Sequence, residues 1–322
     1  MRTPSVPPVA LAFLAALAAP TVSAQAYPNK PIRMVVANAA GGPADVVTRI
    51  YSAKLSELLG QQIVIDNRPG AGGSVAGDVV ATAPADGYTF CVMANGTAAI
   101  APNLIKLRYS VGKDLAPVAL IGNSPLVLMV NPGVPAKTTK ELIALARAKP
   151  GAILFGSSQQ GSTAHLSAEL FKMMAGIDIT HVPYKGAAPA LVGVISGEVQ
   201  MLISGLSANI PAIKSGQVRA LGITSPKRLA MMPDLPTIAE AVPGYEADSW
   251  YVVLTREGTP KAIVTRLNEL SIKVIDSPDV RARLDAAGVT PEALTPEQVG
   301  AKIRRDTERW GKVVKAAGVT VQ

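Results

Sequence analysis

A lone cysteine, Cys91, leaves this chain no internal disulfide. Stability must come from an apolar core, and the chain is long enough to bury one. There are only two histidines, His165 and His181, and neither has a second histidine or cysteine at metal-ligand spacing. No H-E-x-x-H occurs, so neither a metal nor a cofactor is expected. Aromatic residues make up only 4% of the chain, and the basic residues are scattered rather than clustered. The stacking platforms and basic stripes of nucleic-acid-binding proteins are therefore missing, and no nucleic-acid partner is expected. No run after the N-terminal segment approaches the roughly 20 apolar residues of a spanning helix.

Phosphate and nucleophile signatures are absent too. There is no G-x-x-x-x-G-K-[ST] loop. In Gly70-Ala71-Gly72-Gly73-Ser74-Val75, valine stands where the third glycine of a dinucleotide fingerprint belongs. Gly156-Ser157-Ser158-Gln159-Gln160 lacks the final glycine of a nucleophile elbow.

What is present begins with a targeting segment. Residues 1–26 read as a signal peptide, with Arg2 as the positive n-region and Val9 to Ala19 as the apolar h-region. Val22-Ser23-Ala24 and Ala24-Gln25-Ala26 both fit the cleavage site. No cysteine follows the h-region, so no lipid anchor is expected, and the mature protein is expected to be exported and soluble. Loss of Arg2 takes the formal charge from +8 to +7, a modest field that favours anionic small molecules. About 296 residues then remain, enough for two domains.

The mature chain alternates strand and helix patterns, which predicts parallel sheets covered by helices. Ile32 to Ala37 reads as a buried strand. It leads through Gly41-Gly42 into a helix from Pro43, suited to the first helical position, to Leu59, with Gly60 as the stop. Val46, Val47, Ile50, Leu55, Leu58 and Leu59 recur at helical spacing. A glycine turn before a helix start leaves backbone N–H groups and a positive dipole end facing outward, an arrangement that accepts phosphate or carboxylate. A plain tight turn would also use these glycines. Ile63 to Ile65 is a second strand, followed by the glycine-rich loop Asn67 to Gly73 and a helix from Ser74 to Ala83. Cys91 lies in the strand Tyr88 to Met93 and reads as a buried, inert thiol, with Asn95 and Thr97 just past the strand end. A second strand–loop–helix unit follows: Ile153 to Phe155, the polar loop Gly156 to Thr163, and a helix from Ala164 to Ala175. Thr138-x-x-Glu141 predicts a capping box before the helix Lys140 to Ala148. Ser158 or Ser162 with His165 is a conceivable hydrolytic pair, but His165 sits early in a helix and reads first as a structural histidine. Tyr184, in the turn after His181-Val182-Pro183, is a candidate to line a cleft.

Taken together, the chain resembles the periplasmic substrate-binding proteins of the tripartite tricarboxylate transporters, the Bug receptors. The resemblance rests on Tyr27-Pro28-x-Lys30-Pro31-Ile32, Gly41-Gly42-Pro43-x-Asp45, Asp66-Asn67-Arg68-Pro69-Gly70-Ala71-Gly72-Gly73 and Ala85-Asp86-Gly87-Tyr88-Thr89. It continues through His165-Leu166, His181-Val182-Pro183-Tyr184-Lys185-Gly186, Pro236-Thr237-Ile238-Ala239-Glu240 and Trp250.

The resemblance implies an α/β clamshell of two lobes, each a mainly parallel sheet flanked by helices, joined by crossover strands. Domain 1 would comprise residues 27–126 plus 249–322, and domain 2 residues 127–248. A small carboxylate would bind in the cleft, without catalysis, for delivery to membrane permease subunits. A ligand-presenting sensor is the alternative. Di- and tricarboxylates, acidic amino acids and aromatic carboxylates are all candidate ligands. Gly41, Gly42 and Asp45 would hold a carboxylate from one lobe, partly through water. Ser157, Ser158, Gly161, Ser162, Thr163 and the region of Ser204 would contribute from the other. Asn95, Thr97, His165 and Tyr184 complete the candidate set. Two departures bear on the ligand. Ala37-Asn38-Ala39-Ala40 stands where the family often has an aromatic and prolines, and Ser204-Gly205 where it often has an aspartate. A smaller, less acidic pocket would admit a bulkier or more anionic ligand.

Overall fold

The computed structural model describes residues 27–70 and 73–320. The expected signal peptide and Ala71-Gly72 of the second glycine loop lie outside the described residues. In chain order the strands are β1 (Ile32–Val36), β2 (Ile63–Asn67), β3 (Thr89–Ala94), β4 (Leu115–Ser124), β5 (Leu126–Val130), β6 (Leu154–Ser157), β7 (Thr180–Pro183), β8 (Met201–Gly205), β9 (Arg219–Ile223), β10 (Ser249–Arg256) and β11 (Thr290–Pro291). The α-helices are α1 (Pro43–Leu59), α2 (Ser74–Thr82), α3 (Thr139–Ala148), α4 (Thr163–Ala175), α5 (Ala187–Ser196), α6 (Leu206–Lys214), α7 (Lys261–Asp276), α8 (Pro278–Ala286) and α9 (Pro296–Ala316).

These form two sheets flanked by helices, in the orders β11-β4-β10-β3-β1-β2 and β7-β6-β8-β5-β9. Both are mixed rather than mainly parallel. Among the strands of the described residues, parallel pairs are β1 with β2 and β3, and β6 with β7 and β8. The difference arises where the chain changes sheets. It passes from β4 to β5 with only Pro125 between them, and returns from β9 into β10. The strands at these passages, β4, β5 and β10, make antiparallel pairs.

Local signals set the element ends. α1 starts with Pro43 in its first turn and stops at Gly60, which takes the left-handed conformation (φ 66°) that suits glycine. Its inner face is Val47, Ile50, Tyr51, Leu55 and Leu59, while Val46 and Leu58 remain exposed. Thr138 caps α3 by accepting from Glu141 N. The Glu141 carboxylate bonds the amide of Lys137 instead of closing the expected box.

One apolar cluster runs through both sheets. It joins Val35, Cys91 and Leu120 to Leu128, Phe155 and Ile203, with Val299, Ile303 and Trp310 of α9. Trp250 is fully buried in it and donates its indole N–H to Asp306 Oδ2 at 2.7 Å. Burial raises the Cys91 thiol pKa, which fits an inert core position. No helix among the described residues is long and apolar enough to cross a membrane.

Candidate functional site

Where a helix follows the carboxyl end of a strand, the chain tends to begin it on glycine. α1, α2, α5 and α6 start after Gly42, Gly73, Gly186 and Gly205, and none has a side-chain cap. α4, after β6, is instead capped by the Ser162 side chain, and α3 and α9 by Thr138 and Thr295. Uncapped helix starts leave N–H groups for water or a ligand. The glycines therefore place acceptor-seeking groups at the strand ends where open α/β sheets bind ligands.

In the first loop, Gly41 adopts φ 79° and Gly42 is the N-cap of α1. Asp45, only 2% exposed, does not point at an incoming anion. Its Oδ2 accepts from Gly41 N at 2.9 Å and from Arg49 Nε at 2.8 Å, and its Oδ1 accepts from Asn67 Nδ2 at 3.0 Å. Burial pushes its pKa up, but the bonds from Arg49, Gly41 and Asn67 outweigh that and hold it at about 2. Asp45 thus stays ionised and fixes the turn, while α1 keeps no side-chain cap.

Asn95 is fully buried at the end of β3. It leads into a single π-helical turn, Gly96–Ile100. Its Nδ2 donates to the Asp248 carbonyl at 3.3 Å, and its Oδ1 accepts from Ser249 Oγ at 2.9 Å. Thr97 closes on the start of α2. A Cβ at Gly73 would come within 2.5 Å of Thr97 Oγ1, so only glycine permits that approach.

The second loop repeats the first in backbone and differs in side chains. Gly161 has φ 76°, and Ser162 is the N-cap of α4, accepting from His165 N at 3.2 Å. Gly161 N donates to His165 Nδ1 at 3.0 Å. Thr163 Oγ1 reaches Asn95 Oδ1 across the two units. Ser157 is buried, its Oγ bonded to the Gln159 carbonyl at 3.0 Å and to His181 Nε2 at 2.7 Å. The carbonyl of Ser158 accepts from Gly186 N, which ties this loop to the start of α5.

His165 Nδ1 is taken by Gly161, and Nε2 faces Glu169 Oε1 at 3.6 Å. Neither Ser158 nor Ser162 is therefore paired with the His165 ring, and the conceivable hydrolytic pair is not assembled. Burial and the neighbouring His165 push the His181 pKa down to about 4, against the pull of Glu169.

Two candidates sit differently from the rest. Ser204 is buried beside Gly205 at the start of α6, paired with Val127. The Tyr184 ring lies between β6 and α5, against Gly156 and Gly193, so it fills that seam rather than the loop region. Sequence reading missed Arg49, Asn67 and the His181–Ser157 bond. Arg49 carried a signal, since it stands four residues after Asp45 on one helix face. Asn67 and His181 carried none, because only the pairing of strand ends brings them to Asp45 and Ser157.

Comparison with known proteins agrees with this architecture. The family model described as "Tripartite tricarboxylate transporter family receptor" matches residues 47–319. Protein BugT of Bordetella pertussis is 38% identical over 312 residues, covering 96% of this chain and 95% of its own. The Rhodopseudomonas palustris protein Rpa4515, solved with adipate, is 40% identical with a TM-score of 0.76, over 91% of this chain and 99% of that one. MatC of the same organism, solved with bound malate, is 33% identical with a TM-score of 0.72, over 89% and 100%.

Proposed function

The chain belongs to the tripartite tricarboxylate transporter receptor family, and from that premise we propose that it captures a small carboxylate between its two sheets and delivers it to a membrane permease. The observation that carries the reading is the pair of matched loops. Gly41-Gly42-Pro43 and Gly161-Ser162-Thr163 each set a left-handed glycine before a helix start. A helix start offers backbone N–H donors and a positive dipole end, both suited to a carboxylate. Relatives of the same fold solved with adipate and with malate support that ligand class.

In this reading residues 27–126 with 249–322 form one lobe and 127–248 the other, and the chain works in the periplasm after export. The start of α1, shaped by Gly41 and Gly42, holds one end of the ligand, with Asp45 fixing that turn. Ser158, Gly161, Ser162 and Thr163 close from the other side, near Ser204. Asn95 and Thr97 line the floor between them.

A thermal-shift screen of the refolded protein against adipate, malate and other small carboxylates tests this. A ligand at 100 times its dissociation constant adds about 2.7 kcal/mol of stability. A saturable upward shift for one class supports the reading. A flat response across the panel from folded protein counts against it.

A further inference from the structure

The chain's only two histidines, far apart in sequence, end face to face. Their ring centroids lie 3.8 Å apart with planes inclined by 17°, and Phe155 stacks beside them. Both rings grip the same loop. His181 holds Ser157, and His165 holds Gly161.

The geometry of this grip matches the first loop closely. Gly41 and Gly161 have nearly equal φ, 79° and 76°, and the N-caps that follow them are both extended. Each glycine gives its N–H to the side chain four residues on, Asp45 Oδ2 at 2.9 Å or His165 Nδ1 at 3.0 Å. The acceptors differ in kind. A carboxylate with a pKa of about 2 accepts at any ordinary pH. A neutral imidazole accepts only at the nitrogen that carries no proton. His165 accepts at Nδ1, which assigns its proton to Nε2, facing Glu169. A second proton can enter only at Nδ1, where the Gly161 N–H already points. Ring charge and loop bond therefore exclude each other.

We propose that His165 is a positioning residue whose neutral ring holds Gly161, and that proton uptake at Nδ1 releases the second ligand loop. The proposal rests on reading that loop as half of the carboxylate site. The charged surroundings are few. Glu169 on α4 faces Nε2 at 3.6 Å, and His181 on β7 stacks on the ring. β6, β8 and α5 carry no ionisable side chain. Lys185, beyond β7, is exposed. α9 also packs on α4, but commits Lys302 and Arg305 to Glu246 and Arg309 to Asp306. The first loop, held by Asp45, is not released over the same range.

The test is NMR on the ¹⁵N-labelled full chain without ligand. An N–H···N bond transmits a scalar coupling between its two nitrogens. A coupling between Gly161 N and His165 Nδ1 is expected while the His165 ring is neutral. It is expected to vanish at the midpoint of His165's own titration, with the amides of Gln159 to Ser162 moving at that midpoint and the Gly41 amide unmoved. In His165→Asn the carboxamide oxygen accepts from Gly161 but does not titrate, so the loop amides are expected to stay fixed. A coupling that survives protonation of His165, or loop amides that titrate unchanged in His165→Asn, overturns the proposal. Since no ligand enters, this failure is distinct from a failure to bind carboxylate.

Discussion

Asn95 Oδ1, at the end of β3, lies 3.5 Å from Thr163 Oγ1, at the first residue of α4. The same carboxamide bonds Ser249 and the Asp248 carbonyl, where the chain returns to the first sheet. One buried side chain thus links a strand end, a passage between sheets and the opposite ligand loop.

The contributions of those bonds should be unequal. Asn95→Ala leaves the Asp248 carbonyl and the Ser249 hydroxyl without this partner in a buried place, at a predicted cost of about 1–3 kcal/mol. Thr163→Val removes only the long contact and is predicted to cost less than about 1 kcal/mol. Urea denaturation of both variants measures this. Equal losses would contradict the stated hierarchy.

Asp45 makes an acid-side prediction. Its folded pKa, about 2, lies below the ordinary aspartate value of 3.8. Its stabilisation is therefore fully present above the unfolded pKa and is lost as pH falls through the folded one. Asp45→Asn should remove that part of the acid sensitivity and cost about 1.5–3 kcal/mol at neutral pH, the usual worth of charged hydrogen bonds. Stability measured by denaturant across the acid range decides it, and an unchanged profile would show that the Gly41–Asp45–Arg49 network is not energetically coupled.

Asp248 predicts the opposite slope. Burial raises its pKa to about 7, aided by Glu246 and opposed by the bond from Thr224 and the charges of Lys302 and Arg309. A raised acid stabilises most below its unfolded pKa, and that contribution is lost as pH rises to about 7. The carboxamide introduced by Asp248→Asn would keep an acceptor for Thr224 Oγ1, which now bonds the carboxylate at 2.6 Å. The substitution is therefore predicted to gain more than about 1 kcal/mol above neutral pH and little in acid. A variant less stable at both ends would show that the ionised carboxylate is needed.

Gly73 and Gly41 separate conformation from space. Both have positive φ, 87° and 79°, but a Cβ at Gly73 collides with Thr97, whereas one at Gly41 meets nothing within 4 Å. Gly41→Ala should cost about 1–2 kcal/mol for the left-handed backbone alone, and Gly73→Ala more. Equal melting temperatures for the two variants would contradict the close approach of Thr97.

Much of the fold was legible because its signals are local. Pro43 and Gly60 bracket α1, Thr138 opens α3, and short apolar runs mark the strands. α6 and α8 escaped reading, the first because Pro211 lies inside it and the second because it is short, with only Val280 and Leu284 buried. The mixed pairing escaped too: Val118 to Ile121 and Leu126 to Val130 read as two strands, but nothing local in Gly122-Asn123-Ser124-Pro125 marks the change of sheet between them. The strand–loop–helix layout of both loops was legible, Gly41-Gly42 as a glycine turn and Gly156 to Thr163 as a polar loop, while their role as a candidate site came from the resemblance. The contacts that support them were not, because Asn67, His181 and Asp248 reach their partners only after strands far apart in sequence align.

Reversible carboxylate capture is the reading on which the rest depends. It is tested by calorimetric titration of the ligand-stripped protein with adipate and with malate, followed by analysis of the recovered solute. Saturable one-to-one binding of at least one small carboxylate is expected, with the solute returned unchanged. Absence of heat from folded protein with both, or chemical conversion of the solute, would contradict it.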